Sequence, residues 1–249
     1  MIKNILIPMA GLGSRFKKKN FSTIKPLIKI DEKSIFEESI IELPKAKNII
    51  AIINRKVFNK YSILQKILKK NNIKNILLNK ETLGQSDTCF KAKKIINVEE
   101  DVLIHSCDYV MRYSLTDLKK TLKSADVVIF TYKLKSTLVN NYNDFAYCKN
   151  KSDNVLFVKE KKIISNKPQN DHMVIGTFWF KKFKDFLYMH EKSVQNKKFI
   201  NKELYIANNI NILIKKKKIV KFFEVDYWKN LGDLFSYKQY IYWKNYFRN

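Results

Sequence analysis

The sequence predicts a single α/β domain whose mixed, mostly parallel sheet is flanked by helices, and three observations lead there. Short Ile/Leu/Val runs bounded by polar residues alternate with segments of helical periodicity through the first half of the chain. No Ser-, Gly- or Pro-rich tract divides the 249 residues, the five glycines and four prolines are thinly spread, and no internal repeat is present, so one large domain is expected. Finally, the first apolar run opens directly into small and basic residues, the arrangement expected where strand ends of an α/β sheet meet a ligand.

Taken in order, strands are expected at 3–9, 48–54, 75–79, 102–107 and 126–134, each a short aliphatic run with polar borders. Helices are expected between them, near 34–43, 56–71, 86–97 and 114–124, where apolar residues recur every three or four positions. Beyond residue 135 the pattern is less regular, with extended stretches at 144–149, 154–159 and 173–180. Helices near 182–195 and 203–218, a strand at 219–225 and a final helix at 234–247 complete the reading. In that final helix Tyr240, Trp243 and Phe247 are spaced by three and four residues, which predicts a packed face serving as core or subunit contact.

Composition narrows the function. A formal charge of +26 raises the question of a nucleic-acid or anionic-membrane partner. The lysines, however, recur as short runs near predicted helix ends, where cations suit the helix dipole, and form no single stripe. Specific nucleic-acid binding is therefore not expected. No apolar stretch approaches the roughly 18 residues of a spanning helix, and no signal pattern precedes the first strand, so membrane insertion is not expected and a cytoplasmic protein is. Cys89, Cys107 and Cys148 lie in or beside apolar runs without a C-x-x-C pair, which predicts buried, reduced thiols. His105, His172 and His190 form no H-E-x-x-H motif, which removes support for a metallohydrolase.

The chemistry concentrates after the first strand. Gly11 and Gly13 allow backbone N–H groups to approach an anion, Arg15 offers a planar fork of donors, and Lys25, followed by Pro26, adds a compact charge. Phe16 stands where a dinucleotide fingerprint needs a third small residue, and no GK[ST] ending marks a P-loop, so the grip suits a nucleoside triphosphate of another kind. Asp108 follows a strand expected to be central, where a carboxylate can hold Mg²⁺ against phosphate oxygens or merely cap the next turn. Gly84 and Gln85 precede a helix with Ser86 or Asp87 as its expected N-cap, a turn that either receives a flat base or is simply capped.

Together these pieces resemble the nucleotidyltransferases called sugar-nucleotide pyrophosphorylases, most closely a subgroup associated with capsule and surface polysaccharides. Ile7-Pro-Met-Ala-Gly-Leu-Gly-Ser-Arg-Phe16 with Lys25-Pro26 resembles the family's triphosphate loop, which implies nucleotide contacts at Ala10, Gly11, Gly13 and Ser14 and catalytic roles for Arg15 and Lys25. Leu83-Gly84-Gln85 is similar to the base-binding turn, and Cys107-Asp108-Tyr109 to the segment bearing the metal aspartate. Lys159-Glu160-Lys161 and Val174-Ile-Gly-Thr-Phe-Trp-Phe180 resemble acceptor-binding segments, implying roles for Glu160, Lys161 and Gly176, although Glu160 and Lys161 also read as a surface salt pair. Asn201-Lys-Glu-Leu-Tyr205 and Trp228-Lys-Asn-Leu-Gly232 resemble the late acidic segment and the second metal turn. The resemblance implies a Rossmann-like, GT-A-type fold, with residues 1–135 as nucleotide-binding half and 136–249 as acceptor-binding half. It also implies Mg²⁺ as cofactor, a nucleoside triphosphate and a small phosphorylated acceptor as partners, and an oligomeric state left open to homo-oligomers.

Two departures from that pattern concern the metal. Asn230 stands where many relatives carry an aspartate, and Asp233-Leu234 replaces the usual Thr-Pro. Either Asn230 coordinates through its neutral oxygen, or Asp226 or Asp233 takes over. Two other activities fit parts of the pattern: a GT-A-type glycosyltransferase, against which Asp108-Tyr-Val110 lacks an Asp-x-Asp pair, and a basic nucleic-acid-binding protein. A nucleotide sensor weakened by Asn230 is a third.

Overall fold

The structure, a computed structural model, describes residues 1–11, 23–134, 139 and 141–247. Strands β1 (Ile2–Met9), β2 (Lys29–Ile30), β3 (Lys33–Ser34), β4 (Ala46–Asn54), β5 (Lys74–Leu78) and β6 (Val102–Ile104) come first. They are followed by β7 (Tyr109–Arg112), β8 (Val127–Tyr132), β9 (Ala146–Lys151), β10 (Asn154–Lys159), β11 (His172–Phe180), β12 (Val220–Glu224) and β13 (Tyr227–Asn230).

One nine-stranded sheet, ordered β5-β4-β1-β6-β11-β8-β12-β10-β9, carries strands from both halves of the chain. The pairs β4–β5, β1–β4, β1–β6 and β8–β12 are parallel. Strand β11 is antiparallel to β6, β8 and β9, and β10 is antiparallel to β12 and β9. All strands of this sheet except β10 and β11 therefore run in one direction, a mixed and mostly parallel arrangement.

Burial on both faces explains why the strands read as unbroken apolar runs. In β1, Ile5, Ile7 and Met9 enter one core while Leu6 enters the other; in β4, Ala51 and Ile53 separate from Ile50 and Ile52 in the same way. Phe36 of the helix Ile35–Ile40 and Leu64, Ile67 and Leu68 of Ser62–Lys70 cover the first face. Cys89, Phe183, Phe186 and Met189 cover the second. The helix Ile35–Ile40 begins at a reciprocal capping box, in which Glu37 N donates to Ser34 Oγ at 3.2 Å and Ser34 N donates to Glu37 Oε2 at 2.9 Å. Cys89, Cys107 and Cys148 are free and buried. Among the described residues no helix is long and apolar enough to cross a membrane.

Several elements differ from the sequence reading. The expected helix at 56–71 is two helices, Arg55–Lys60 and Ser62–Lys70, broken at Tyr61, whose backbone (φ −116°, ψ 89°) is not helical. The stretch 203–218 likewise holds two short helices, Ile206–Asn209 and Asn211–Lys215, and 86–97 holds Gln85–Phe90 followed by a 3-10 turn. Strand β6 stops at Ile104, three residues short of the expected end, and β7 begins at Tyr109 in a separate two-stranded sheet with β13. In the terminal helix, Leu234–Tyr246, the face packed on the domain is that of Leu234, Tyr237, Tyr240 and Ile241, against Ile28, Ile30, Ile35 and Leu231. Trp243 and Phe247 are 44% and 78% exposed, so of the two roles expected for them the structure removes that of core residues. Both sides of this helix carry aromatics at helical spacing, and only one side can face the domain.

Candidate active site

The carboxyl ends of adjacent strands β1 and β6 set the site. After β1 the chain continues into Ala10 and Gly11; after β6 it passes through Ser106 to Asp108. Two short strands then join distant parts of the chain. Strand β7 pairs antiparallel with β13 in the register Tyr109↔Asn230 to Arg112↔Tyr227, and Leu231 N donates to Asp108 O at 2.9 Å. This ladder brings Asn230 and Gly232 beside Asp108. A Cβ on Gly232 would lie 2.6 Å from Asp108 Oδ2 and 2.9 Å from Asn230 Oδ1, so the absence of a side chain keeps clear a point that both oxygens face.

Lys25 enters this group from a 3-10 turn, Lys25–Leu27, with Pro26 in its first positions. Its Nζ stands 2.5 Å from Asp108 Oδ2 and donates to Gly232 O at 3.3 Å. Ser106 Oγ donates to the other carboxylate oxygen at 2.6 Å. Burial disfavours the Asp108 charge, but the Lys25 ammonium and the Ser106 hydroxyl outweigh it and hold the carboxyl below the usual carboxylate range.

The structure places the two alternatives to Asn230 differently. Asp233 caps the terminal helix, its Oδ1 accepting from Ser236 N at 2.8 Å, while its Oδ2 accepts from Asn230 Nδ2 at 2.5 Å. It therefore orients the Asn230 amide, whose Oδ1 accepts from Gly232 N at 2.8 Å. Asp226 is exposed at the far end of the β7–β13 ladder, where its N–H donates to Arg112 O. Asp108 and Asn230 present a carboxylate and an amide carbonyl, hard oxygen donors that fit Mg²⁺ when water and substrate phosphates complete its shell. Among the described residues no group of three or more His, Cys, Asp or Glu is arranged to hold a metal by itself.

Ala10, Gly11, Gly84, Gln85, Asp108, Glu160, Gly176 and Asn230 all line one cleft of about 660 Å³. Gly84, at φ +100°, is the residue preceding the helix Gln85–Phe90. The side-chain N-cap expected from Ser86 or Asp87 is absent, because the helix already starts at Gln85 with Gly84 as its N-cap; Asp87 Oδ2 instead accepts from Leu83 N at 3.0 Å. The turn is locked from outside by Leu204, whose N–H donates to Leu83 O at 2.7 Å and whose carbonyl accepts from Ser86 N at 3.2 Å. Gln85 Nε2 donates to Gly176 O at 3.3 Å, which links the turn to the irregular middle of β11, where φ at Gly176 is +89°.

Glu160 shares the cleft with Glu203 and Tyr205. Burial raises its pKa to about 7; the neighbouring Lys161 charge opposes the rise and Glu203 adds to it. Lys161 lies in an adjoining cleft of about 900 Å³ that also contains Asp108 and Asn230, and its Nζ donates to Tyr205 Oη at 2.7 Å. Gly13, Ser14 and Arg15 belong to the segment 12–22, outside the described residues.

Sequence reasoning missed the support beneath Asp108. His105 is fully buried, with Nε2 2.9 Å from the Ser39 carbonyl and Nδ1 2.9 Å from Thr177 Oγ1. A carbonyl only accepts, so Nε2 carries the proton and Nδ1 accepts. Burial lowers the pKa of this imidazole to about 4, and Tyr109 Oη completes the network through Thr177 and His105. The available signal was His105-Ser-Cys-Asp-Tyr109 itself, with four polar side chains ending an apolar strand.

No protein-family model matches the chain, and no curated protein matches it. Its fold is that of solved nucleotidyltransferases. A nucleoside-diphosphate-sugar pyrophosphorylase from Vibrio cholerae superposes with a TM-score of 0.79 at 20% identity, covering 96% of this chain and 99% of that one. The inositol-1-phosphate CTP transferase from T. maritima gives 0.71 at 13% identity, covering 94% and 91%. A Bacillus anthracis protein described as a glucose-1-phosphate thymidylyltransferase gives 0.71 at 14%, covering 98% and 95%.

Proposed function

We propose that this chain is a nucleotidyltransferase that moves a nucleoside monophosphate from a triphosphate to a small phosphorylated acceptor, a sugar 1-phosphate or a similar metabolite, with release of pyrophosphate. The observation that carries the reading is the convergence of Asp108, held by Lys25, and Asn230 at a cleft also lined by Ala10, Gly11, Gly84, Gln85, Glu160 and Gly176. The names of the structural neighbours support the same reaction class. A role in surface-glycan precursor synthesis rests on the resemblance of sequence motifs.

In this reading an acceptor phosphate oxygen attacks the α-phosphorus, a new P–O bond forms, and the bond to the β-phosphate breaks. The acceptor is already an anion, so the protein's task is alignment and charge neutralisation rather than proton removal. Lys25 offsets charge at the α-phosphate and the acceptor phosphate, and Arg15 stabilises the departing pyrophosphate. Gln85 meets the base edge, with Gly84 leaving the backbone open beneath it. Glu160 accepts from acceptor hydroxyls, and Lys161 meets its phosphate. Asp108 and Asn230 would hold a divalent cation such as Mg²⁺, which would supply further neutralisation of the phosphate oxygens.

The test is a pyrophosphate-release screen of four triphosphates against phosphorylated acceptors in the presence of Mg²⁺. Release is expected only when one triphosphate and one acceptor are both present. Absence of release from every pair overturns the reading, and sugar release from a nucleotide sugar replaces it with a glycosyltransferase.

A further inference from the structure

We propose that Lys25 and a divalent cation are alternative occupants of the same carboxylate, so that the chain takes up its metal together with a nucleotide and not before it. The proposal rests on the nucleotidyltransferase reading and adds an order of events to it.

Both oxygens of Asp108 are engaged, Oδ2 by Lys25 Nζ at 2.5 Å and Oδ1 by Ser106 Oγ at 2.6 Å. The ammonium is also anchored by Gly232 O at 3.3 Å. Beside them stands Asn230 Oδ1, a neutral donor that accepts from Gly232 N at 2.8 Å. Asp233, the nearby carboxylate, is spent on the Asn230 amide and on the helix cap. Asp108 and Lys25 thus sum to no formal charge, and the second oxygen adds none. A small dication that sheds water reluctantly gains little from such a site on its own. A triphosphate changes the balance twice, because its oxyanions ligate the cation and give the displaced ammonium a new partner. The exchange conserves charge: one Lys–carboxylate contact is replaced by a metal–carboxylate contact and a Lys–phosphate contact. Gly232 keeps the space between Asp108 Oδ2 and Asn230 Oδ1 free of a side chain.

The experiment titrates Mn²⁺ alone into wild type, Lys25→Met and Asn230→Asp, reading bound ion by electron paramagnetic resonance. Weak binding is expected in wild type, with at least tenfold tighter binding in each variant, because one removes the competing ammonium and the other adds a carboxylate. If Lys25→Met does not fold, Lys25→Gln, which keeps a polar side chain of similar reach without the charge, carries the test. Wild-type affinity within twofold of the folded variants overturns the exchange. Pyrophosphate release measured on the same wild-type preparation separates the two ideas: turnover with equal Mn²⁺ affinities removes the exchange and leaves the transferase reading, whereas no turnover with any pair removes the reading beneath it.

Discussion

Lys25 Nζ and Asp108 Oδ2 meet at 2.5 Å across 83 residues of sequence, and Ser106 completes the carboxylate's contacts from below. Replacing Asp108 by Asn keeps the shape and removes the charge. A charge-assisted contact of this kind is worth about 1.5–3 kcal/mol, and about 1.4 kcal/mol makes a factor of ten in rate. Asp108→Asn is expected to lower turnover by about tenfold to a hundredfold while circular dichroism stays native. Full turnover in the folded variant contradicts its placement at the reacting phosphates.

Gly232 faces two oxygens at distances a side chain cannot share. The added carbon of Gly232→Ala would stand 2.6 Å from Asp108 Oδ2 and 2.9 Å from Asn230 Oδ1. Relief requires those side chains or the turn to move, at a cost of about 1–3 kcal/mol. Urea unfolding should report that loss, and steady-state kinetics should report a larger fall in turnover than in apparent nucleotide affinity.

Gly84 combines two constraints. Its φ of +100° is strained for any L side chain, and a Cβ would press on Leu204 N at 3.2 Å and on Glu203 Cβ at 3.3 Å. Gly84→Ala is expected to destabilise the protein by about 1–3 kcal/mol and to raise KM for the triphosphate, since Gln85 is the next residue. Unchanged KM in a folded variant places the base elsewhere.

Glu160 makes stability depend on pH. Burial and Glu203 raise its carboxyl from 4.5 to about 7 in the native state. Across that window the native chain holds a proton that the unfolded chain has released, so stability falls as pH rises through it. Glu160→Gln removes the ionisation and should be more stable than wild type above about pH 7, by about 1–3 kcal/mol, with the difference shrinking at pH values below 4.5. Denaturant midpoints measured at several pH values check the sign.

The strands buried on both faces were the most legible part of the chain, because the aliphatic residues of β1, β4, β6 and β8 feed both cores in turn and announce themselves as runs. Gly84 and Gln85 could be placed from sequence because they stand at the entrance of a helix, and Asp108 because it lies a few residues beyond the apolar run of β6. The ladder of β7 and β13 was not. Its sequences, Tyr-Val-Met-Arg and Tyr-Trp-Lys-Asn, are four residues long and pair across nearly half of the chain, so no local period marks them. Tyr61 hid its helix break in the same way, since the apolar spacing continues through a residue whose backbone does not. Which side of the terminal helix turns inward depends on Ile28, Ile30 and Ile35, partners that no window around Tyr240 contains.

The pairing of Tyr109 with Asn230 also bears on biosynthesis. A nascent chain can lay β1, β4, β5 and β6 side by side as soon as those segments leave the ribosome, since their parallel contacts involve the first half alone. The oxygen pair facing Gly232 comes into being only once the last fifth of the polypeptide has emerged and zipped back onto β7. Premature termination before Tyr227 would therefore leave much of the parallel core intact yet remove half of the oxygen pair.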